Sequence, residues 1–357
     1  MTDPTYILGV ESSCDETSCA VVADGRKVLS NVVASQIDLH ARFGGVVPEL
    51  ASRAHIEAVN SVIAQALEAS GVGPSQLAAV AVTCEPGLIG SLLVGLMAAK
   101  TLAWVWDLPL IGVNHVYAHA YAAALDDEPI EYPAAAMICS GGHTALYRCD
   151  APTGLTLMGS TLDDAAGEAF DKVAGILGLG FPGGPAIDRV AQSGRRDAVQ
   201  FPRSLLSGQS LDFSFSGLKT AVLYYINGLP GGLRPSTLRA RQAPAHCLGI
   251  ENFSQREVAD VAASFQAAVV DVLRIKLRRA AQQIDSRSLV LGGGVSANSA
   301  LRQAAVELAG KLRRPLRMPP LRFCLDNAAM IAGLAWHYLR AGRTSGLDLE
   351  ARATVRR

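Results

Sequence analysis

The 357-residue chain has no Gly-x-x-x-x-Gly-Lys-[Ser/Thr] loop, no Cys-x-x-Cys pair, no basic leader and no excess of either charge. Without the first, a P-loop nucleotide enzyme is excluded. Its seven cysteines (Cys14, Cys19, Cys84, Cys139, Cys149, Cys247, Cys324) are scattered and odd in number, which suits reduced thiols rather than a disulfide framework. The start, Met1-Thr-Asp-Pro-Thr-Tyr-Ile-Leu8, shows no basic segment leading into an apolar core, so a cytoplasmic protein is expected. Lysine plus arginine equals aspartate plus glutamate at 32 each, so any nucleic acid must be held by local patches rather than by a net field. One apolar stretch has membrane length, residues 88–106. It contains Ser91, Lys100 and three alanines, follows a glycine-containing turn and ends at Asp107, and is read as a helix buried against a sheet, with no membrane partner.

Half of the residues are hydrophobic and 18% are charged, enough for large cores, and the length favours two lobes. Residues 7–10 read as a buried strand, 11–16 as a polar turn and 17–22 as the returning strand. The same pattern recurs at 134–139, 140–143 and 144–148, which suggests a duplicated α/β lobe. Helices are predicted over 48–70, near 165–177, over 257–284 and from Asn298, with strands at 77–83, 110–113 and 288–291. The expected division is a first lobe over 1–132, a second over 133–324, and a C-terminal helix and tail over 325–357 that returns to the first lobe. Alternating strands and helices favour mixed or parallel sheets over a helical bundle.

His115-Val-Tyr-Ala-His119 places two imidazoles on one face of a helix, where they can hold one metal ion. Val116 stands where a zinc protease of the His-Glu-x-x-His type carries its general base, so metalloproteolysis is disfavoured. A third ligand is sought at Asp326, in Cys324-Leu-Asp-Asn-Ala-Ala-Met330, although a carboxylate at that point can instead cap the last helix. Three glycine turns follow apolar runs: Ser140-Gly-Gly142, Pro182-Gly-Gly-Pro185 and Gly292-Gly-Gly294 followed by Asn298. Such turns receive phosphates through backbone N–H groups, and together they mark a nucleotide cleft. Acidic residues are grouped with these turns: Asp15 and Glu16 in the first hairpin, Asp171 in Ala169-Phe-Asp-Lys172 and Asp188 one helical turn after Gly184; for Asp171 an ion pair with Lys172 or a solvated helix face is the alternative.

Glu11-Ser-Ser-Cys-Asp-Glu-Thr17, His115-x-x-x-His119, Ser140-Gly-Gly-His-Thr144, Asp163-Asp-Ala-Ala-Gly-Glu-Ala-Phe-Asp-Lys172, Phe181-Pro-Gly-Gly-Pro185, Phe213-Ser-Phe-Ser-Gly-Leu-Lys219, Gly292-Gly-Gly-Val-Ser-Ala-Asn298 and Asp326-Asn327 resemble, in order, the motif series of the TsaD/Kae/Gcp family. The resemblance spans about residues 7–342. It implies the two-lobed actin-like, heat-shock ATPase and sugar-kinase (ASKHA) fold with duplicated RNase H-like lobes. It also implies transfer of threonylcarbamoyl from threonylcarbamoyl-AMP to N6 of the adenosine 3′ of the anticodon in tRNAs reading ANN codons, with release of AMP. By the family's pattern His115, His119 and Asp326 hold one divalent metal, Fe(2+) first and Zn(2+) as the other option. Ile138, Cys139, Ser140, Gly141, Gly142, Asp171, Gly184, Asp188 and Asn298 contact the adenylate. Asp15 or Glu16 is the expected acceptor of the amine proton. The implied partners are tRNA, an inactive TsaB-like paralogue docking on the first lobe, and a small TsaE-like ATPase.

Two segments depart from the family's usual pattern: 228–252, a long loop carrying Arg234, Arg239 and Arg241 that would suit an RNA backbone, and the proline-rich Arg317-Met-Pro-Pro-Leu-Arg322. The rival readings on the same fold are an ATP-dependent small-molecule kinase and a regulatory ATPase. Neither explains why two histidines and a late aspartate should converge.

Overall fold

Strands β1 (Tyr6–Glu11) and β2 (Glu16–Ala23) are buried almost end to end, because elements pack on both faces of the sheet they form. The computed structural model describes residues 3–126, 128–228 and 249–354; Arg234, Arg239 and Arg241 of the predicted basic loop lie outside them. The first sheet is completed by β3 (Lys27–Ser35), β4 (Leu77–Glu85) and β5 (Leu110–Asn114), in the order β3-β2-β1-β4-β5. β1 pairs antiparallel with β2 and parallel with β4. Helices α1 (Ile37–Ala41), α2 (Pro48–Ser70), α3 (Ile89–Val105) and α4 (His115–Tyr121) belong to the same lobe. Pro48 opens α2 and Gly71 ends it in the left-handed region at φ 67°, as the sequence predicts.

The second sheet comprises β6 (Ala134–Cys139), β7 (Thr144–Ala151), β8 (Gly154–Ser160), β9 (Ser288–Gly292) and β10 (Leu316–Arg317). Its order, β8-β7-β6-β9-β10, repeats the first sheet strand for strand, with the same antiparallel and parallel pairings. This duplication is the RNase H-like lobe pair of the actin-like, heat-shock ATPase and sugar-kinase fold. Helices α5 (Ala166–Ile176), α6 (Gly183–Ala191), α7 (Ser216–Asn227), α8 (Gln255–Gln283) and α9 (Ser299–Leu312) share a core with one face of the second sheet, and α10 (Ala328–Arg340) crosses β1 and β2 of the first.

The two lobes share one apolar core. It takes Ile7, Ala20 and Val113 from the first sheet, Ala136, Ile138 and Val290 from the second, and Val116, Ala118, Met330 and Ala332 from α4 and α10. Small side chains at Ala118, Ala122, Ala134 and Ala136 let these backbones approach closely, so α4 is wedged at the seam between the lobes. Edge strands β3 and β8 were not legible in the sequence because both are half exposed and mix polar with apolar residues.

One expectation needs correction. The apolar stretch 88–106 does form a helix, but only one face is covered: Leu92, Leu96 and Ala99 are buried while Leu93, Met97 and Trp104 stand in solvent. No helix among the described residues is long and apolar enough to cross a membrane.

The contact of α10 with β1 depends on Gly9, where an added Cβ would lie 2.5 Å from the Ala328 carbonyl oxygen and 2.9 Å from the Ala332 Cβ. Gly9→Ala is therefore expected to lower stability by about 1–3 kcal/mol. Urea unfolding monitored by far-UV circular dichroism measures the change.

Candidate metal centre and nucleotide cleft

β5 ends at Asn114, whose side-chain oxygen accepts from the N–H groups of Val116 (3.0 Å) and Tyr117 (3.1 Å). That cap starts α4 with His115 in its first turn and sets His119 one turn later on the same face. Both rings are buried, with centroids 4.5 Å apart. Asp326 reaches them from the segment preceding α10. The cap of α10 is Asn327 rather than Asp326: its Oδ1 accepts from Met330 N at 3.1 Å, and its Nδ2 donates to the carbonyls of Leu325 and Phe323. Relieved of capping, Asp326 Oδ1 lies 3.1 Å from His119 Nε2 and 3.4 Å from His115 Nε2. One donor atom from each of the three residues falls within 4.8 Å of the others.

A residue that sequence reasoning did not single out completes the cluster. Glu11, at the end of β1 and wholly buried, places Oε2 2.9 Å from His115 Nδ1 and 2.6 Å from Thr83 Oγ1. In sequence it shows as a carboxylate closing an apolar strand and as the first residue of the Glu11–Thr17 motif, with nothing to link it to His115. Burial opposes charge on His115, but Asp326 and Glu11 outweigh it and hold its pKa well above the ordinary value. Burial and the adjoining His115 push His119 below its ordinary value, and His115 keeps Asp326 far below the usual carboxylate range against the effect of burial.

This arrangement fits a cation. If His115 donates Nδ1–H to Glu11, its Nε2 presents a lone pair to a carboxylate oxygen only 3.4 Å away, and His119 Nε2 faces the same oxygen. Only a proton or a positive ion relieves that opposition. Two imidazole nitrogens and one carboxylate oxygen are a donor set that transition ions accept.

In the second lobe, the glycine turn that carries His143 lies within electrostatic reach of His115, His119 and Asp326. Gly141 and Gly142 are exposed, with empty space where a Cβ would stand, and the Ser140 carbonyl accepts from Gly167 N at the start of α5. Ile138 and Cys139, in contrast, bury their side chains in the core, leaving only their backbone to meet a ligand. Asp171 is half-buried and does not pair with Lys172: it accepts from Gly183 N at 2.7 Å, while Lys172 binds Asp164 and Glu168. Burial raises its pKa, the Gly183 and Gly184 amides oppose the rise, and Asp15 of the first lobe adds to it. Gly184 has open space at its Cβ position. Asp188 accepts from both the amide and the hydroxyl of Ser299, and Asn298 caps α9 through Leu301 N while donating to Gln266. Asp15 is half-buried and Glu16 buried, both within electrostatic reach of Cys14 beside Asp326. His143, on the glycine turn, is pushed down to about 4 by burial and by His115 and His119.

Residues 27–333 match the model of the family described as TsaD: tRNA N6-adenosine threonylcarbamoyltransferase. The chain belongs to this family. A tRNA N6-adenosine threonylcarbamoyltransferase of Anaeromyxobacter dehalogenans (strain 2CP-1) is 50% identical over 350 residues, covering 97% of this chain and 98% of the relative. One from Thermomicrobium roseum is 51% identical over 354 residues, covering 97% and 95%. Among solved structures, full-length HypF in its phosphate- and nucleotide-bound form superposes with a TM-score of 0.60 at 14% identity, over 96% of this chain and 47% of that one. That likeness concerns the fold alone. Membership of the TsaD family makes the chain a transferase.

Glu11→Gln is expected to weaken metal affinity by about 10–100-fold by loosening the His115 ring, as read by metal titration of the purified protein. In the same titration a cation displaces the proton that His115 holds between two carboxylates. Affinity therefore falls as pH drops through the raised His115 pKa, and calorimetry in buffers of different ionisation enthalpy registers about one proton released per metal bound.

Proposed function

We propose that this chain transfers the threonylcarbamoyl group from threonylcarbamoyl-AMP to N6 of the adenosine 3′ of the anticodon in tRNAs reading ANN codons, releasing AMP. The observation that carries this reading is the convergence of His115, His119 and Asp326 in a chain of the TsaD family. A kinase or regulatory ATPase on this fold has no use for that buried cluster. His115, His119 and Asp326 would hold one divalent ion, iron by the family's pattern and zinc as the alternative. Bound there, the ion supplies Lewis-acid stabilisation for negative charge on a substrate oxygen.

The chain's own groups account for the rest. The exposed Gly141 and Gly142 amides suit the adenylate phosphate, and by the family's pattern Asp188 and Asn298 would contact the nucleoside. As N6 bonds to the carbamoyl carbon, the carbon–oxygen bond to the phosphate breaks and one amine proton must leave. Of the two acidic residues, Glu16 is the less suited to take it: it is buried, and burial, then Asp326 and Asp15, push its carboxyl up to about 10. Asp15, half-buried and facing Asp171 across the lobes, is the acceptor.

Two surfaces support the partners. Ile89, Leu93, Met97 and Trp104 form an exposed stripe along α3, and Ile56 stands exposed on neighbouring α2, a face suited to the TsaB-like paralogue. Residues 1–132 carry 15 acidic and 5 basic side chains, whereas residues 133–357 carry 17 and 27. The neutral total conceals a strongly polarised molecule, and the second lobe is the side to which an RNA backbone is drawn. The family resemblance adds a small TsaE-like ATPase as a further partner.

The test is a reconstituted assay with threonylcarbamoyl-AMP and tRNA, run with the chain alone and then with both partners, reading the modified nucleoside and AMP by mass spectrometry. Modified nucleoside is expected, and Asp326→Asn should cut its rate about 100-fold or more. Phosphorylation of a small molecule from ATP without nucleoside formation would point instead to the kinase reading.

A further inference from the structure

The turn carrying Asp15 is tied down at three consecutive carbonyls by three different elements. Ser13 O accepts from Leu88 N at 2.8 Å, and Asp15 O accepts from Gln36 N at 3.0 Å. Between them, Cys14 O lies 3.0 Å from Nε2 of His55, a wholly buried side chain on α2. The same ring places Nδ1 2.7 Å from Thr17 Oγ1, just after the turn. A carbonyl only accepts, so Nε2 carries the proton and Nδ1 accepts from the Thr17 hydroxyl. Burial lowers the His55 pKa, which keeps the ring neutral and both bonds intact. The Gln36 anchor has its own support: the Gln36 side chain donates to Ala51 O and faces Nε2 of buried His40, whose Nδ1 accepts from Val47 N.

Of the three carbonyl ties, only that of His55 comes from a side chain. It spans the turn, gripping the residue before Asp15 and the second residue after it. We infer that His55, with Thr17, is the positioning residue that sets where the Asp15 carboxylate stands for proton transfer. The inference rests on the transferase reading given above. His55 touches neither the imidazole pair nor Asp326, so its loss should leave metal binding intact while displacing the acid–base group.

The experiment compares wild type, His55→Leu, Thr17→Val and His55→Gln in the full reconstituted assay, with metal content and thermal unfolding measured in parallel. His55→Leu and Thr17→Val should lower kcat about 10–100-fold, with metal stoichiometry and the KM for tRNA unchanged. His55→Gln, which keeps one donor and one acceptor, should recover much of that loss. Unchanged kcat in folded His55→Leu overturns the inference, as does a loss that follows metal content or KM instead. If His55→Leu does not fold, Thr17→Val decides alone, since it removes a hydroxyl at nearly constant shape. A wild type that makes no modified nucleoside overturns the transferase reading and this inference together. A working wild type with indifferent variants overturns only the inference.

Discussion

A wholly buried carboxylate against a buried imidazole, Glu11 on His115, is the interaction around which this molecule is arranged. Burying either group costs several kcal/mol unless its charge and hydrogen-bonding capacity are met. Thr83 and the Ser13 amide satisfy Glu11, and Asp326 faces the far side of His115. The resulting line of carboxylate, imidazole and carboxylate draws on β1, α4 and the segment before α10. Residues far apart in sequence are thus committed to one point.

That point lies at the joint of the duplicated lobes. Because α4 and α10 share a core with both sheets, the imidazoles cannot shift without disturbing the packing between the lobes. The glycine turn 140–142 belongs to the second lobe and the Asp15 turn to the first, and the charge of Asp15 is felt by Asp171 of the second lobe. Three ion pairs reinforce the same seam: Arg317 with Glu128, Arg322 with Asp126 and Arg287 with Glu131. The proline-rich segment 317–322, unusual in sequence, thus has an arginine at each end that binds the connection between lobes. Such exposed pairs each contribute little to stability.

Much of this was legible in the sequence because it is local. The two hairpins followed from apolar runs broken by polar turns, and the His115 and His119 spacing followed from helical periodicity. Convergence with Asp326 was suggested by motif order, but geometry alone explains how it is achieved: Asn327 takes over the cap and frees Asp326. Glu11 was invisible as a partner of His115, since no local pattern links residues 104 apart in the chain. The exposed stripe on α3 was misjudged because its mean apolarity is uniform around the helix, so periodicity carried no signal about which side faces solvent. The hydrogen bonds of His55 were likewise unreadable, being tertiary contacts to a turn that sequence places far from α2.

The central claim is that His115, His119 and Asp326 bind one metal ion together. X-ray absorption at the metal edge, on protein loaded with iron or with zinc, tests it most directly. The account predicts scattering from two imidazoles and a carboxylate oxygen at about 2.0–2.2 Å, with the imidazole signal lost in His115→Ala/His119→Ala protein. A loaded ion whose spectrum shows no imidazole scattering, or whose stoichiometry survives removal of both histidines, would contradict it.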